Sequence, residues 1–299
     1  MSPSNPGAQP MRGIAAVLAL PFATLLAACT PHAGAGADTA PAAARAQGAI
    51  PAGAAEVQAR LAASPRHGEW AMVSAGAGDS VRAWIVYPER RDRAPVVVVV
   101  HEIFGLTSWI RGVADQLAAD GFIAIAPDLL SGKGVPVGPD GEPVRDSATA
   151  AIRTLDMAAV QRRIDATARH AMALPAALPR YGIVGFCWGG GVSFAHAAHA
   201  PNLGASVVYY GVSPAPAALA NVRAPVLGLY GENDARVNAT IAPADSVLRA
   251  LGRTYQHQRF TGAGHGFLRQ QDGQSGANLE AARAAWPRTV QWFHRHLRG

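Results

Sequence analysis

Gly185-Phe186-Cys187-Trp188-Gly189-Gly190 is the segment of this 299-residue chain whose residue types and spacing best suit chemistry. The thiol stands between an apolar run, Tyr181 to Phe186, that reads as a strand and a stretch near Gly190 to Ala200 that reads as a helix. Small residues two before and two after the cysteine permit the sharp strand-to-helix turn that lifts a nucleophile above a sheet edge, here with Cys in place of Ser. The helix that begins there points its positive end at the sulfur, which favours thiolate over thiol. The backbone amide of Trp188 is then one oxyanion donor. A buried structural cysteine would account for the thiol but not for glycines on both sides of such a turn.

A nucleophile of this kind needs a base, and the base an orienting acid, in the chain order nucleophile, acid, histidine. Gly231-Glu232-Asn233-Asp234 follows a strand-like run, Pro225 to Tyr230, and Gly262-Ala263-Gly264-His265-Gly266-Phe267 follows another, Thr254 to Phe260. Asp234 is the candidate acid, Glu232 a lesser one, and His265 the candidate base. His196 and His199 fall inside the helix after the cysteine, and His294 and His296 inside the last helix, where packed or solvated roles are expected. Another carboxylate, Glu102, stands in His101-Glu102-Ile103-Phe104-Gly105 directly after a run of five valines. At a strand end it either has a task or faces water.

The elements that must hold these residues alternate along the chain. Strands are expected at Val81 to Tyr87, Pro95 to His101, Phe122 to Pro127, Tyr181 to Phe186, Ala205 to Tyr210, Pro225 to Tyr230 and Thr254 to Phe260. Helices are expected at Trp109 to Asp120, Ser147 to Ala173 with one break, Gly190 to Ala200, Ala242 to Leu251 and Leu279 to Leu297. Such alternation predicts an α/β fold, a mostly parallel sheet with helices on both faces and chemistry at the carboxyl ends of its strands.

With these residues in place, the chain from about Gly68 to the C-terminus resembles the dienelactone hydrolases of the α/β-hydrolase fold. The likeness rests on the Cys187 turn, the Asp234 and His265 loops and the His101-Glu102-Ile103-Phe104-Gly105 segment. It implies that Glu102 helps switch the cysteine between thiol and thiolate and that the amide of Ile103 is the second oxyanion donor. It also implies two cations for a substrate carboxylate. Arg269, four residues past His265, fits one; after Pro127-Asp128-Leu129, where the other belongs, Lys133 is the cation at hand, a point charge without a guanidinium fork. Trp188, Phe104 and Trp109 are candidates for an apolar acyl pocket.

Composition narrows what remains. Of 26 basic residues only Lys133 is not arginine, and the arginines form no stripe interleaved with aromatics, so the formal charge of +6 points to no nucleic-acid partner. Two cysteines, Cys29 and Cys187, leave no thiolate zinc cage, and no metal or cofactor is expected. Met11-Arg12, an apolar run from Ile14 to Ala28 and the sequence Leu26-Ala27-Ala28-Cys29 have the form of a secretory leader ending in a lipobox. On that reading residues 1–28 are removed, with Met1 or Met11 as the start. Cys29 is then diacylated, tying the protein to a bacterial membrane facing the periplasm or exterior. Residues 29–55, rich in Ala, Gly and Pro, are expected to be a disordered tether, and 56–299 the enzyme domain.

The expected activity is hydrolysis of a small carboxylic ester or lactone through Cys187, His265 and Asp234. The alternatives are a broader carboxylesterase or thioesterase acting on envelope or imported esters, and a catalytically idle, lipid-anchored binding protein. Redox sensing by Cys187 is weaker, since lipidation of Cys29 leaves no resolving cysteine.

Overall fold

The computed structural model describes Ile50–Arg298. The expected leader, Cys29 and the expected tether up to Ala49 lie outside the described residues. A short helix α1 (Val57–Ala62) precedes strands β1 (Gly68–Gly76), β2 (Asp79–Val86) and β3 (Ala94–Val100), helix α2 (Ser108–Ala119) and β4 (Ile123–Pro127). Helices α3 (Arg145–Ile152) and α4 (Met157–Met172), strand β5 (Ala177–Phe186), helix α5 (Trp188–His199) and β6 (Ala205–Tyr209) follow. The chain ends with α6 (Pro216–Leu219), β7 (Val226–Asn233), α7 (Ala235–Asn238), α8 (Ile241–Ala250), β8 (Tyr255–Gly264) and α9 (Ala277–His296).

The eight strands form one sheet in the order β1-β2-β4-β3-β5-β6-β7-β8. The β1–β2 pair and the β2–β4 pair are antiparallel, and every other pairing is parallel, in agreement with the expected mostly parallel sheet. β3 shows why. All seven of its residues are buried, Val97 and Val99 facing α2 and α9 while Val96, Val98 and Val100 face α4 and α5. β-Branched residues suit a strand covered on both faces, and each valine buried this way contributes on the order of 2 kcal/mol.

The break expected within Ser147 to Ala173 falls where Asp156 takes an extended backbone and caps α4 by accepting from the amides of Ala158 and Ala159. Two other expectations shift. β1 was not foreseen: on this edge strand only Val73 is buried, so it lacks an apolar signature. The tether also ends before Ala55. Ala52 is buried, Gln271 donates to the Pro51 carbonyl at 2.8 Å, and the Ala54 amide donates to the Arg269 carbonyl at 2.8 Å. Small residues there pack closely against the loop after β8 instead of being solvated.

Candidate active site

The four strands β3, β5, β7 and β8 end on one edge of the sheet, and each delivers one candidate. Cys187 leaves β5 and caps α5 with φ 56° and ψ −116°, a conformation that non-glycine residues rarely adopt. Its neighbours permit this only as glycines. A Cβ on Gly185 would lie 1.9 Å from the Gly189 carbonyl oxygen, and one on Gly189 would lie 2.4 Å from that of His101. The Cys187 amide is held by the Tyr209 carbonyl at 3.1 Å.

Asp234 follows β7, and its two oxygens are divided: Oδ1 accepts from the Val237 amide at 3.4 Å to cap α7, and Oδ2 accepts from His265 Nδ1 at 2.6 Å. Burial pushes the Asp234 carboxyl up, but the hydrogen bond and charge of His265, the Val237 amide and Arg236 bring it below its usual value. His265, after β8, responds in the opposite sense. Burial pulls the imidazole down, while hydrogen bonds and charge from Asp234 and Cys187 outweigh it and raise its pKa to about 9. An imidazolium beside the Asp234 carboxylate is the state so favoured. Asn278, buried on α9, secures this loop at both ends by accepting from the Gly264 amide at 2.9 Å and donating to the Gln270 carbonyl at 2.7 Å. Glu232, the lesser candidate acid, instead accepts from the Gly262 amide at 2.9 Å and is exposed, so it supports the loop and does not orient His265.

Glu102 does not face water. It is 4% exposed, with Arg269 Nε 2.9 Å from its Oε2. Burial raises its pKa to about 7 against the opposing pull of Arg269, His265 and Arg145. A carboxyl raised on folding stabilises the native state most at low pH, because the folded chain holds a proton that the unfolded chain has lost. Between the usual carboxylate value and about pH 7 the wild type therefore loses on the order of 3 kcal/mol relative to Glu102→Gln. Chemical denaturation of both proteins between pH 4 and 8 measures this; a pH-independent difference would show that Glu102 titrates in the folded chain as it does in the unfolded one.

Cys187, Trp188 and Ile103 share a cavity of about 460 Å³, otherwise walled mainly by Met157, Val192, Val212 and Pro214 with Arg236 at its rim. Neither expected carboxylate ligand borders it. Lys133 is exposed and absent from its lining, and Arg269 is engaged with Glu102. Phe104 also stands outside the cavity, its ring 4.0 Å from the Arg145 guanidinium and 5.1 Å from that of Arg269, and Trp109 is core. Arg145, Arg236, Met157 and Val212 were not anticipated. Each comes from a stretch without local signature, and only the folded chain brings them near Cys187 or Glu102.

A mostly parallel sheet, a strained cysteine at a strand-to-helix turn and an acid-held imidazole at the same edge define a hydrolase of the α/β-hydrolase fold. Residues 81–297 match the Dienelactone hydrolase family, and the chain belongs to that family. It is 31% identical over 261 residues to a "Putative carboxymethylenebutenolidase" of Salmonella typhimurium, an alignment covering 81% of this chain and 95% of that one. Among solved structures, a "Putative Dienelactone Hydrolase" from Klebsiella pneumoniae is 30% identical with a TM-score of 0.67, covering 77% of this chain and 99% of its own. The dienelactone hydrolase of Anabaena variabilis shares the fold at 23% identity and a TM-score of 0.58, covering 78% of this chain and 99% of its own. The protein is an ester or lactone hydrolase.

Proposed function

We propose that Cys187, His265 and Asp234 act as a triad that hydrolyses a carboxylic ester or lactone through a thioester on Cys187. The observation that carries this reading is the thiol held at positive φ beside an imidazole that Asp234 grips at 2.6 Å. The thiolate attacks the carbonyl carbon, and the amides of Ile103 and Trp188 receive the oxyanion. As the C–O bond breaks, His265 gives its proton to the leaving alkoxide. His265 then takes a proton from water, whose oxygen attacks the thioester carbonyl. Collapse of the second tetrahedral adduct expels the thiolate and releases the acid.

The apolar walls of the cavity favour an apolar acyl group or ring over a polyanion, since only Arg236 offers a cation there. With Lys133 and Arg269 outside it, a broader carboxylesterase or thioesterase stands as the second reading of the substrate class. Acid-quenching a reaction with a short-chain p-nitrophenyl ester within one turnover is expected to leave an acyl group on the Cys187 peptide, detectable by mass. Turnover with no such adduct at any time would overturn the thioester route. A panel of lactones and acyl esters of graded length then separates the two substrate readings.

The sequence Leu26-Ala27-Ala28-Cys29 supports a proposed lipid anchor that holds the enzyme on a bacterial membrane, outside the cytoplasm. Whole-cell fractionation of Cys29→Ser is expected to move the protein from the membrane to the soluble periplasmic fraction. A variant that stays with the membrane would refute the anchor.

A further inference from the structure

His101 closes β3 with its ring wholly buried, and both ring nitrogens are engaged. The Leu129 amide donates to Nε2 at 3.2 Å, so the proton sits on Nδ1, which donates to the Glu102 carbonyl at 2.7 Å. Burial lowers the pKa of the ring against the pull of Asp128, in keeping with this neutral tautomer.

The bond to Glu102 determines more than the position of one oxygen. A peptide unit is planar and trans, so the Glu102 C=O and the Ile103 N–H point in opposite directions. Anchoring the carbonyl on His101 therefore turns the Ile103 N–H to the other side, and Ile103 borders the cavity that holds Cys187. The Glu102 carbonyl has one further backbone contact, from the Gly105 amide at 3.4 Å, which is longer than a strong N–H···O bond. The face of the His101 ring also stacks on the Trp188 indole, with centroids 5.6 Å apart and planes at 24°. One side chain thus touches both the peptide that carries the Ile103 amide and the indole of Trp188, the two residues whose amides receive the oxyanion in the proposed reaction.

We propose that His101 is a positioning residue that sets the oxyanion hole by pinning the Glu102–Ile103 peptide in its donating orientation. This rests on the thioester reading above. Nothing in the reaction moves a proton on or off His101; its role is to prevent a peptide flip that would present a carbonyl where an N–H is needed. Deleting an oxyanion donor outright costs about 10²–10³ in kcat, and a donor that points correctly only part of the time should cost less.

The experiment compares wild type, His101→Leu, His101→Asn, His101→Gln and Cys187→Ala by steady-state kinetics on a short-chain p-nitrophenyl ester, and all but Cys187→Ala by the rate of Cys187 alkylation with iodoacetamide. Alkylation displaces iodide from a saturated carbon and forms no oxyanion, so it reads the thiolate and not the hole. His101→Leu is expected to lower kcat by about 10- to 100-fold, with KM and alkylation rate each within about twofold of wild type. Asparagine carries an N–H at the position of Nδ1 and should restore most of kcat. Glutamine, whose amide lies one bond further out, should not. Should the leucine variant fail to fold, the asparagine–glutamine contrast decides alone. Wild-type kcat in His101→Leu, equal rates for Asn and Gln, or alkylation falling in step with kcat would each overturn the role of His101. Undiminished turnover by Cys187→Ala would overturn the thioester reading itself, whereas an inactive Cys187→Ala beside a fully active His101→Leu removes only the inference.

Discussion

Cys187→Ala is expected to lower kcat/KM for an activated ester by at least about 10⁴-fold, a loss of about 5 kcal/mol in transition-state stabilisation. The amides of Ile103 and Trp188, the proposed oxyanion donors, survive the substitution, so a residual rate above that in water should remain. The fold should survive as well. Alanine keeps the backbone bond from residue 187 to the Tyr209 carbonyl and adds no side-chain atom to a turn already at positive φ. Kinetics alongside circular dichroism and thermal unfolding check both halves: native spectra without turnover are the expected pair, and native spectra with full turnover would assign the nucleophile to another group.

Asp234→Asn is expected to lower kcat by about 10³-fold or more, because the carboxylate serves two donors and an amide has only one acceptor atom. Aspartate accepts from the Val237 amide and from His265 Nδ1 at once. Asparagine can turn its oxygen to the helix, which sets an N–H against Nδ1 and forces the wrong tautomer. Alternatively it can turn its oxygen to His265, which uncaps α7. In either arrangement the imidazolium loses its countercharge, so the pKa of His265 falls from about 9 towards the unperturbed value of about 6.5. A titration of His265 by NMR reads that shift directly, with its sign fixed in advance: downward. An unchanged His265 pKa would show that Asp234 is not its partner in solution.

What the sequence made legible and what it hid differ in a physical way. Cys187, Asp234 and His265 announce themselves because each stands where a β-branched or apolar run gives way to a turn, and because glycines mark backbone that must approach other backbone closely. The mostly parallel sheet follows from the same runs. β1 stayed hidden because an edge strand with little burial carries no apolar run. Lys133, counted from Pro127-Asp128-Leu129, is exposed and is not among the residues lining the cavity, a placement that depends on the path of the loop and not on the count. Met157, Val212 and Arg236 share the cavity only because β5, β6 and β7 are neighbours in the sheet. The Glu102–Arg269 contact likewise joins two loops that nothing in their local sequence connects.

The short segment stitched to the loop after β8 bears on where the enzyme can be cut. Composition alone sets the border of the domain at Glu56, yet the Ala54 amide and the Pro51 carbonyl are bonded to Arg269 and Gln271, just beyond His265. A chain trimmed at 56 would leave the Arg269 carbonyl without that donor and strip a buried alanine from the loop that follows His265. A chain trimmed at 49 would leave the seam closed. Whatever is attached upstream of Ile50, natural or engineered, therefore joins the domain next to the loop that carries Arg269 and Gln271.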